Sequence, residues 1–489
     1  MYEHNSRQIA FHDEPQMFGS LPLKPDNRWV KLAGLIPWSR VEEAYRRNFR
    51  GNRGERAKSA RLALACLIVK EQLQLSDRDT VQMIRENPYI QYFLGYSEYQ
   101  YDLSLDPSLL THFRHRFPAD VIAQVNQWIV EEARHSSDED DRDDGEEAGS
   151  GSSGDQGSDN AAGESENRGT LILDATCAPQ DIQYPTDIRL LHEARQKLEE
   201  MMDTLQSGRT QAKPRNYREK AHKDYHRFSR NRRPTKQQIR TALRKQLQYV
   251  SRDLRLVSAM QRDSAAILSE RQLRYLDTIT RLYAQQKTMY ENKTRRCDDC
   301  IVSLHQPYIR PIVRGKTNAV TEFGAKLTAS VVGGYAEVTT LSWDAYNESR
   351  DLIKAAEQYR ERHGFFPERI LADKIFRTRQ NLQYCKAHGI HLNGRPLGRP
   401  PKDKSLDDEQ RRLAYEEAGE RNAIEGKFGE SKRRFSLGLV MTKLQATSET
   451  QIHLVFLVMN LQKILRDLFI LFFSIRFFTK RRQIYSVFT

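Results

Sequence analysis

The sequence predicts a mixed α/β domain broken by a long helical insertion and preceded by an all-α N-terminal domain. Three observations carry this. Helical periodicity fills Trp38 to Trp128, and an acidic Ser/Gly-rich stretch follows at 136–169. Strand-like runs then begin, but a helical pattern at 188–300 splits them. At ~100–200 residues per domain, 489 residues allow two to four domains.

Residues 1–30 show no periodicity and read as a tail, which leaves 31–135 for the helical domain. RLALACLIVKEQL is apolar over a broad face, and Ser76 with Asp79 predicts a capped start for DRDTVQMIREN. Pro88 stops or bends that helix. PSLLTHFRHRF predicts a helix from Pro107 that presents Arg114 and Arg116. Helix, turn and basic helix suit a DNA-reading module, although small bundles share the pattern.

The stretch 136–169 has alanine as its one apolar type and cannot bury enough surface to offset its ordering entropy. It is expected to be a disordered linker and the main domain boundary. TLILDATCA holds a short β-branched and Leu run ending on an acid, read as a buried strand. Two long amphipathic helical segments follow, with Pro214 and Pro234 as breaks. RPIVRG, FGAKLTASVVGG and YAEVTTLSW predict antiparallel strands turning at Gly333-Gly334. Asp344 reads as the N-cap of a helix ending at Gly364. ERILAD is another strand ending on an acid. Residues 408–434 are helical, 449–475 form an apolar helix, and 476–489 are a basic tail.

Composition excludes several classes. Five scattered cysteines make no disulfide scaffold and point to a reduced, cytoplasmic protein. The N-terminus shows no signal-peptide pattern. The apolar stretch Leu454–Phe473 is interrupted by Lys463, Arg466 and Asp467, which suits a buried helix and not a membrane anchor. Cys297-Asp-Asp-Cys300 is a lone CxxC near His305, short of a four-ligand zinc site.

The charge is uneven. The formal net charge is +13, but 136–168 carries −10, leaving +23 for the rest. Residues 209–255 hold 16 Lys/Arg against three acids. Such a field favours a polyanion, with nucleic acid the default partner. Arg230, Arg232 and Arg233 lie in this block, and Arg395 and Arg399 sit on a Pro/Gly-rich loop at 393–404.

Two strand-like runs end on Asp174 and Asp373. A carboxylate there costs desolvation unless a cation compensates, and hard carboxylate oxygens suit Mg²⁺. Arg421, Glu425, Phe428 and Lys432 share one helical face, offering a third carboxylate between two cations. An i,i+4 salt bridge between Arg421 and Glu425 is the alternative for that helix.

With these residues in place, the chain resembles a bacterial insertion-sequence transposase of the DDE class. LIPWSRVEEAY and SDRDTVQMIRENPYIQYFLG resemble its helical N-terminal domain. LILDATCAPQDIQYPTDIRLLHEAR resembles the first-Asp segment, and WDAYNESRDL with ILADKIFRTRQN resembles the second. RNAIEGKFGESKRRFSLG matches the Tyr-x2-Arg-x3-Glu-x6-Lys signature at Arg421, Glu425 and Lys432; the Tyr position, 418, is Ala here, with Tyr415 one turn earlier.

The resemblance implies an RNase H-like catalytic domain at 170–475. It implies Asp174, Asp373 and Glu425 as ligands of two Mg²⁺ ions, with Mn²⁺ able to substitute, and an in-line displacement at phosphorus. It also implies Arg421 and Lys432 on DNA phosphates, with double-stranded element ends and target DNA as partners. Pairing two ends implies a homodimer on DNA, and neither a membrane nor a small-molecule substrate is expected. The alternatives are a non-catalytic DNA-binding descendant and a metal-dependent nuclease that does not join strands.

Overall fold

The computed structural model describes residues 17–19, 21–49, 57–143, 166–316, 319–395 and 404–485. A short hairpin, β1 (Met17–Phe18) and β2 (Leu21–Pro22), leads into seven helices. These are α1 (Arg28–Leu35), α2 (Trp38–Arg46), α3 (Ala60–Leu73), α4 (Asp77–Glu86), α5 (Pro88–Phe93), α6 (Leu109–Arg116) and α7 (Ala119–Asp143). The stretch 1–30 is therefore not all tail: the hairpin and the start of α1 lie inside it, and 1–16 fall outside the described residues.

Local chemistry places these helices. Ser59 and Ser76 accept the amides of Leu62 and Asp79, and Asn87 caps α5 with Pro88 in its first turn. Helix α3 is buried on nearly every side from Ala60 to Val69, as a central helix must be. Helix α6 starts two residues after Pro107, behind Ser108. Helix α7 continues through Ser136–Asp143, so the acidic stretch begins helical and not as linker. Once the buried part of α7 is nucleated, each further residue adds a backbone bond. Residues 144–165 lie outside the described residues.

Next come β3 (Thr170–Pro179) and the insertion helices α8 (Asp187–Gln206), α9 (Arg218–Ser229), α10 (Lys236–Asp263) and α11 (Glu270–Glu291). Strands β4 (Arg310–Lys316), β5 (Ala319–Val332) and β6 (Tyr335–Ser342) follow. Then come α12 (Asp351–His363), β7 (Arg369–Ala372), α13 (Arg379–Ala387), β8 (His391–Leu392), α14 (Lys404–Arg434) and α15 (Gln445–Tyr485). The sheet order is β4-β5-β3-β7-β8, with β6 on β5. Gly333 and Gly334 turn the β5–β6 hairpin with φ of +58° and +80°. Asp344 does not cap a helix. It pairs with Arg310 at 3.4 Å, while Asn347 caps a 3-10 turn that runs into α12 at Asp351. Helix α15 reaches Tyr485, so most of 476–489 is helical.

The chain divides into two compact units, and not at the acidic stretch. One comprises Met1–Ala178, Leu327–Leu341 and Asn347–Thr489; the other comprises Pro179–Lys326 and Ser342–Tyr346. In the first, the N-terminal helices are built onto the sheet region through α15, which packs on α3 and α7. Asn460 of α15 donates to Asn126 (2.9 Å) and to the carbonyl of Ala336 (2.9 Å), and accepts the Ala336 amide. Leu171, Leu173, Ile370 and Ala372 form a core with α12, Phe376 and Cys385. The second unit has its own core, in which Leu191, Leu198 and Met202 of α8 meet Val250 and Val257 of α10 and Ile279 of α11. Capping boxes at Thr235/Gln238 and Ser269/Gln272 start α10 and α11.

Candidate active site

Strands β3 and β7 pair in parallel, with Leu173 opposite Ala372. The next residue on each is an acid, so Asp174 and Asp373 emerge side by side at the ends of that pairing. Asp373 also opens a 3-10 turn by accepting the Lys374 amide at 2.7 Å. Behind it, Asn393 holds the Ala372 amide (2.8 Å), and Arg377 donates to the carbonyls of Leu392, Asn393 and Arg395. These bonds fix the chain on both sides of Asp373.

Helix α14 packs against β7. Arg369 of β7 forks onto Glu420 at 3.1 and 3.3 Å, and buried Glu417 meets His391 of β8 and the Gly394 amide. Strand β3 runs on to Pro179, so Asp174 lies within it and not at its end as expected, whereas Asp373 follows the last residue of β7. Arg421 and Glu425 follow within two turns, and Arg421 reaches Asp174. The Arg421 guanidinium lies 3.2 Å from Glu425 and 3.7 Å from Asp174. Glu417, Glu420 and Arg369 escaped the sequence reading. Their signal was an acid at each of two positions just before Arg421, whose partners lie far back in the chain.

Asp174 is half-buried, and burial pushes its carboxyl above the usual range. The Ala175 amide at 2.7 Å and Arg421 oppose the shift; the charges of Asp373 and Glu425 add to it. The negative charges of Asp373 and Glu425 thus reach Asp174, where Arg421 is the opposing cation. Their hard oxygens are the donor type Mg²⁺ takes. Among the described residues, however, no three His, Cys, Asp or Glu side chains stand close enough to hold an ion together. The donors fit the ion in kind, with Arg421 in contact with two of the three. Asp373 makes no ion pair among the described residues.

The other expected residues separate. Lys432 is half-buried on α14 beyond Glu425, and Tyr415 is exposed. Arg114 is corrected: it is buried, donating to both oxygens of Asp77 at 3.1 and 2.8 Å, with Lys70 on the same carboxylate. A guanidinium so engaged is not free to read a base edge. Arg116 is half-buried, with its guanidinium over Phe49. Arg230, Arg232 and Arg233 are exposed between α9 and α10 and make no side-chain ion pair among the described residues. Arg395 is half-buried, and Arg399 lies outside the described residues. Cys297 and Cys300 are free thiols, raised chiefly by burial. No helix among the described residues is long and apolar enough to cross a membrane.

Comparison with known proteins gives the family. Residues 370–462, which include Asp373, Arg421, Glu425 and Lys432, match the family described as "Transposase DDE domain". Residues 20–116 match "Transposase domain (DUF772)". The chain is 30% identical over 176 residues to "Uncharacterized protein ORF8 in nfe locus" of Rhizobium meliloti, covering 36% of this chain and 73% of that protein. No solved structure matches. With a transposase domain at each end and that similarity across most of a relative, the chain belongs to the transposases of the DDE class.

Proposed function

We propose that the protein binds the terminal inverted repeats of its own insertion sequence and catalyses Mg²⁺-dependent strand cleavage and strand transfer, using an RNase H-like domain. The observation that carries this reading is that Asp174 and Asp373 follow paired residues of two adjacent parallel strands, while Arg421 of α14 lies between Asp174 and Glu425. These three carboxylates would hold the metal. When bound, Mg²⁺ supplies Lewis acidity to the attacking and leaving oxygens of a displacement at phosphorus.

The chain's own residues do the rest. Asp373, exposed at its strand end, is accessible to a DNA backbone. Arg421 and Lys432, on the face of α14 that carries Glu425, hold phosphates beside the scissile bond. Arg230, Arg232 and Arg233 bind backbone regardless of sequence, and Arg116 and Arg395 add contacts. The protein works in the bacterial cytoplasm as a dimer that pairs two ends.

The test uses a supercoiled plasmid carrying the gene with its native flanking DNA, incubated with protein and Mg²⁺ beside Asp373→Asn. Mapped breaks bracketing the gene, absent with the variant, support the proposal. Joined products separate transposition from simple nuclease action. DNA binding without breaks in either protein overturns it in favour of a non-catalytic DNA-binding descendant.

A further inference from the structure

The candidate site has three carboxylates, and Arg421 pairs with two of them. Its two terminal nitrogens divide the work: one faces Oδ2 of Asp174 at 3.7 Å, the other Oε1 of Glu425 at 3.2 Å. Oδ1 of Asp174 is held by its own backbone neighbour, so Oδ2 is the oxygen left to meet a cation. Both Arg421 contacts are longer than the ~2.7–2.9 Å of tight charge-assisted bonds. The guanidinium therefore offsets part of the site's negative charge without gripping it.

We propose that Arg421 is an internal counter-cation that occupies the carboxylate site until a divalent ion displaces it, and that the freed guanidinium then takes a DNA phosphate. This rests on the carboxylates being the metal site. A dication and the guanidinium compete for the same oxygens of Asp174 and Glu425, so one leaves when the other enters. Among the described residues the three carboxylates are not gathered around a common point, which is the arrangement expected while Arg421 spans two of them. Once displaced, Arg421 stays permanently charged and presents a planar fork suited to phosphate. Helix α14 also aims Lys432 along that face. Linkage then requires DNA to tighten metal binding, because phosphate draws away the competing cation, and metal to tighten DNA binding by the same factor.

The experiment titrates Mn²⁺ into the full chain, following bound ion by electron paramagnetic resonance, with and without a duplex from the native flanking DNA. Wild type is compared with Arg421→Ala, Arg421→Gln and Asp373→Asn, with thermal melting to verify that each is folded. Without DNA, Arg421→Ala and Arg421→Gln are expected to bind Mn²⁺ about tenfold more tightly than wild type. Adding duplex should tighten Mn²⁺ binding in wild type and leave both Arg421 variants unchanged. Equal or weaker Mn²⁺ binding by the folded Arg421 variants overturns the exchange while leaving the metal site standing. Unaltered Mn²⁺ binding by Asp373→Asn is a different failure, since it removes the metal site and the exchange with it.

Discussion

The two compact units hold their charges in opposite ways. Where α14 meets β7 and β8 and the end of the β3–β7 pairing, charged groups converge from separate elements: Arg369 on Glu420, His391 on Glu417, Arg421 between Asp174 and Glu425. The insertion instead sorts its charges by depth. Arg195, Glu199 and Asp253 are buried together at its centre, while Arg230, Arg232 and Arg233 stand exposed. Convergent charge makes a site for chemistry, and it is costly to build because each group must be desolvated against a partner. Exposed charge of one sign makes a field, which binds polyanions without geometry.

Four measurements break or sharpen that contrast. The largest effect is expected at the convergent site: Asp373→Asn should lower strand cleavage on the order of 10³-fold while binding to DNA persists, as read by break mapping beside gel shift. Retained cleavage would place the chemistry elsewhere. The exposed field should respond differently. Arg230→Ala, Arg232→Ala and Arg233→Ala together should weaken binding to all duplexes alike and make the log–log salt dependence shallower by about 2.7. An unchanged slope would remove these arginines from the interface.

Arg114→Ala tests a third kind of charge, buried and paired with Asp77. It should cost about 2–3 kcal/mol in urea unfolding and leave the salt slope intact. A loss of sequence preference at unchanged stability would restore Arg114 to a base-reading role.

The smallest effect concerns the insertion's buried network. Burial, then the nearby Glu199, raises Asp253 to about 7, so the folded protein keeps a proton that the unfolded chain releases near its ordinary 3.8. Stability from this group is full below that ordinary value and lost as pH rises through about 7. Asp253→Asn should therefore protect α10 amides from exchange more at pH 8 than at pH 5, by about 1–2 kcal/mol. Equal protection at both pH values would mean that Asp253 is ionised in the folded protein throughout.

What the sequence disclosed depended on whether a feature was local. Arg421, Glu425 and Lys432 lie on one face of one helix, and periodicity alone groups them. Asp174 and Asp373 stood out as acids closing apolar runs, and their neighbouring positions follow from parallel register. The hairpin at Gly333-Gly334 was equally plain. Arg114 was misread because its partner, Asp77, sits 37 residues earlier and meets it only where α4 and α6 both pack on α3. The roles of Glu417 and Glu420 required knowing which strands α14 lies against. Asp344 looked like a cap because its type and position suit one, but the chain runs on to Asn347 before turning. Helix α7 overran its expected end because cooperativity outweighed composition.

A small hydrogen-bond cluster joins the N-terminal helices to the end of α14 in the first unit. Glu71, buried on α3, accepts both the amide and the hydroxyl of Ser436, two residues after α14 ends, and Gln451 of α15 donates to that same hydroxyl. A helical region fastened this way to the end of the Glu425 helix turns the unit into a ruler. If the helical region binds the element's end, as under the proposed function, the distance from that bound sequence to the cut phosphate is set by protein, not by DNA. Adding or removing base pairs inside an element's end should move the cut relative to the DNA sequence, yet hold it constant relative to the bound protein.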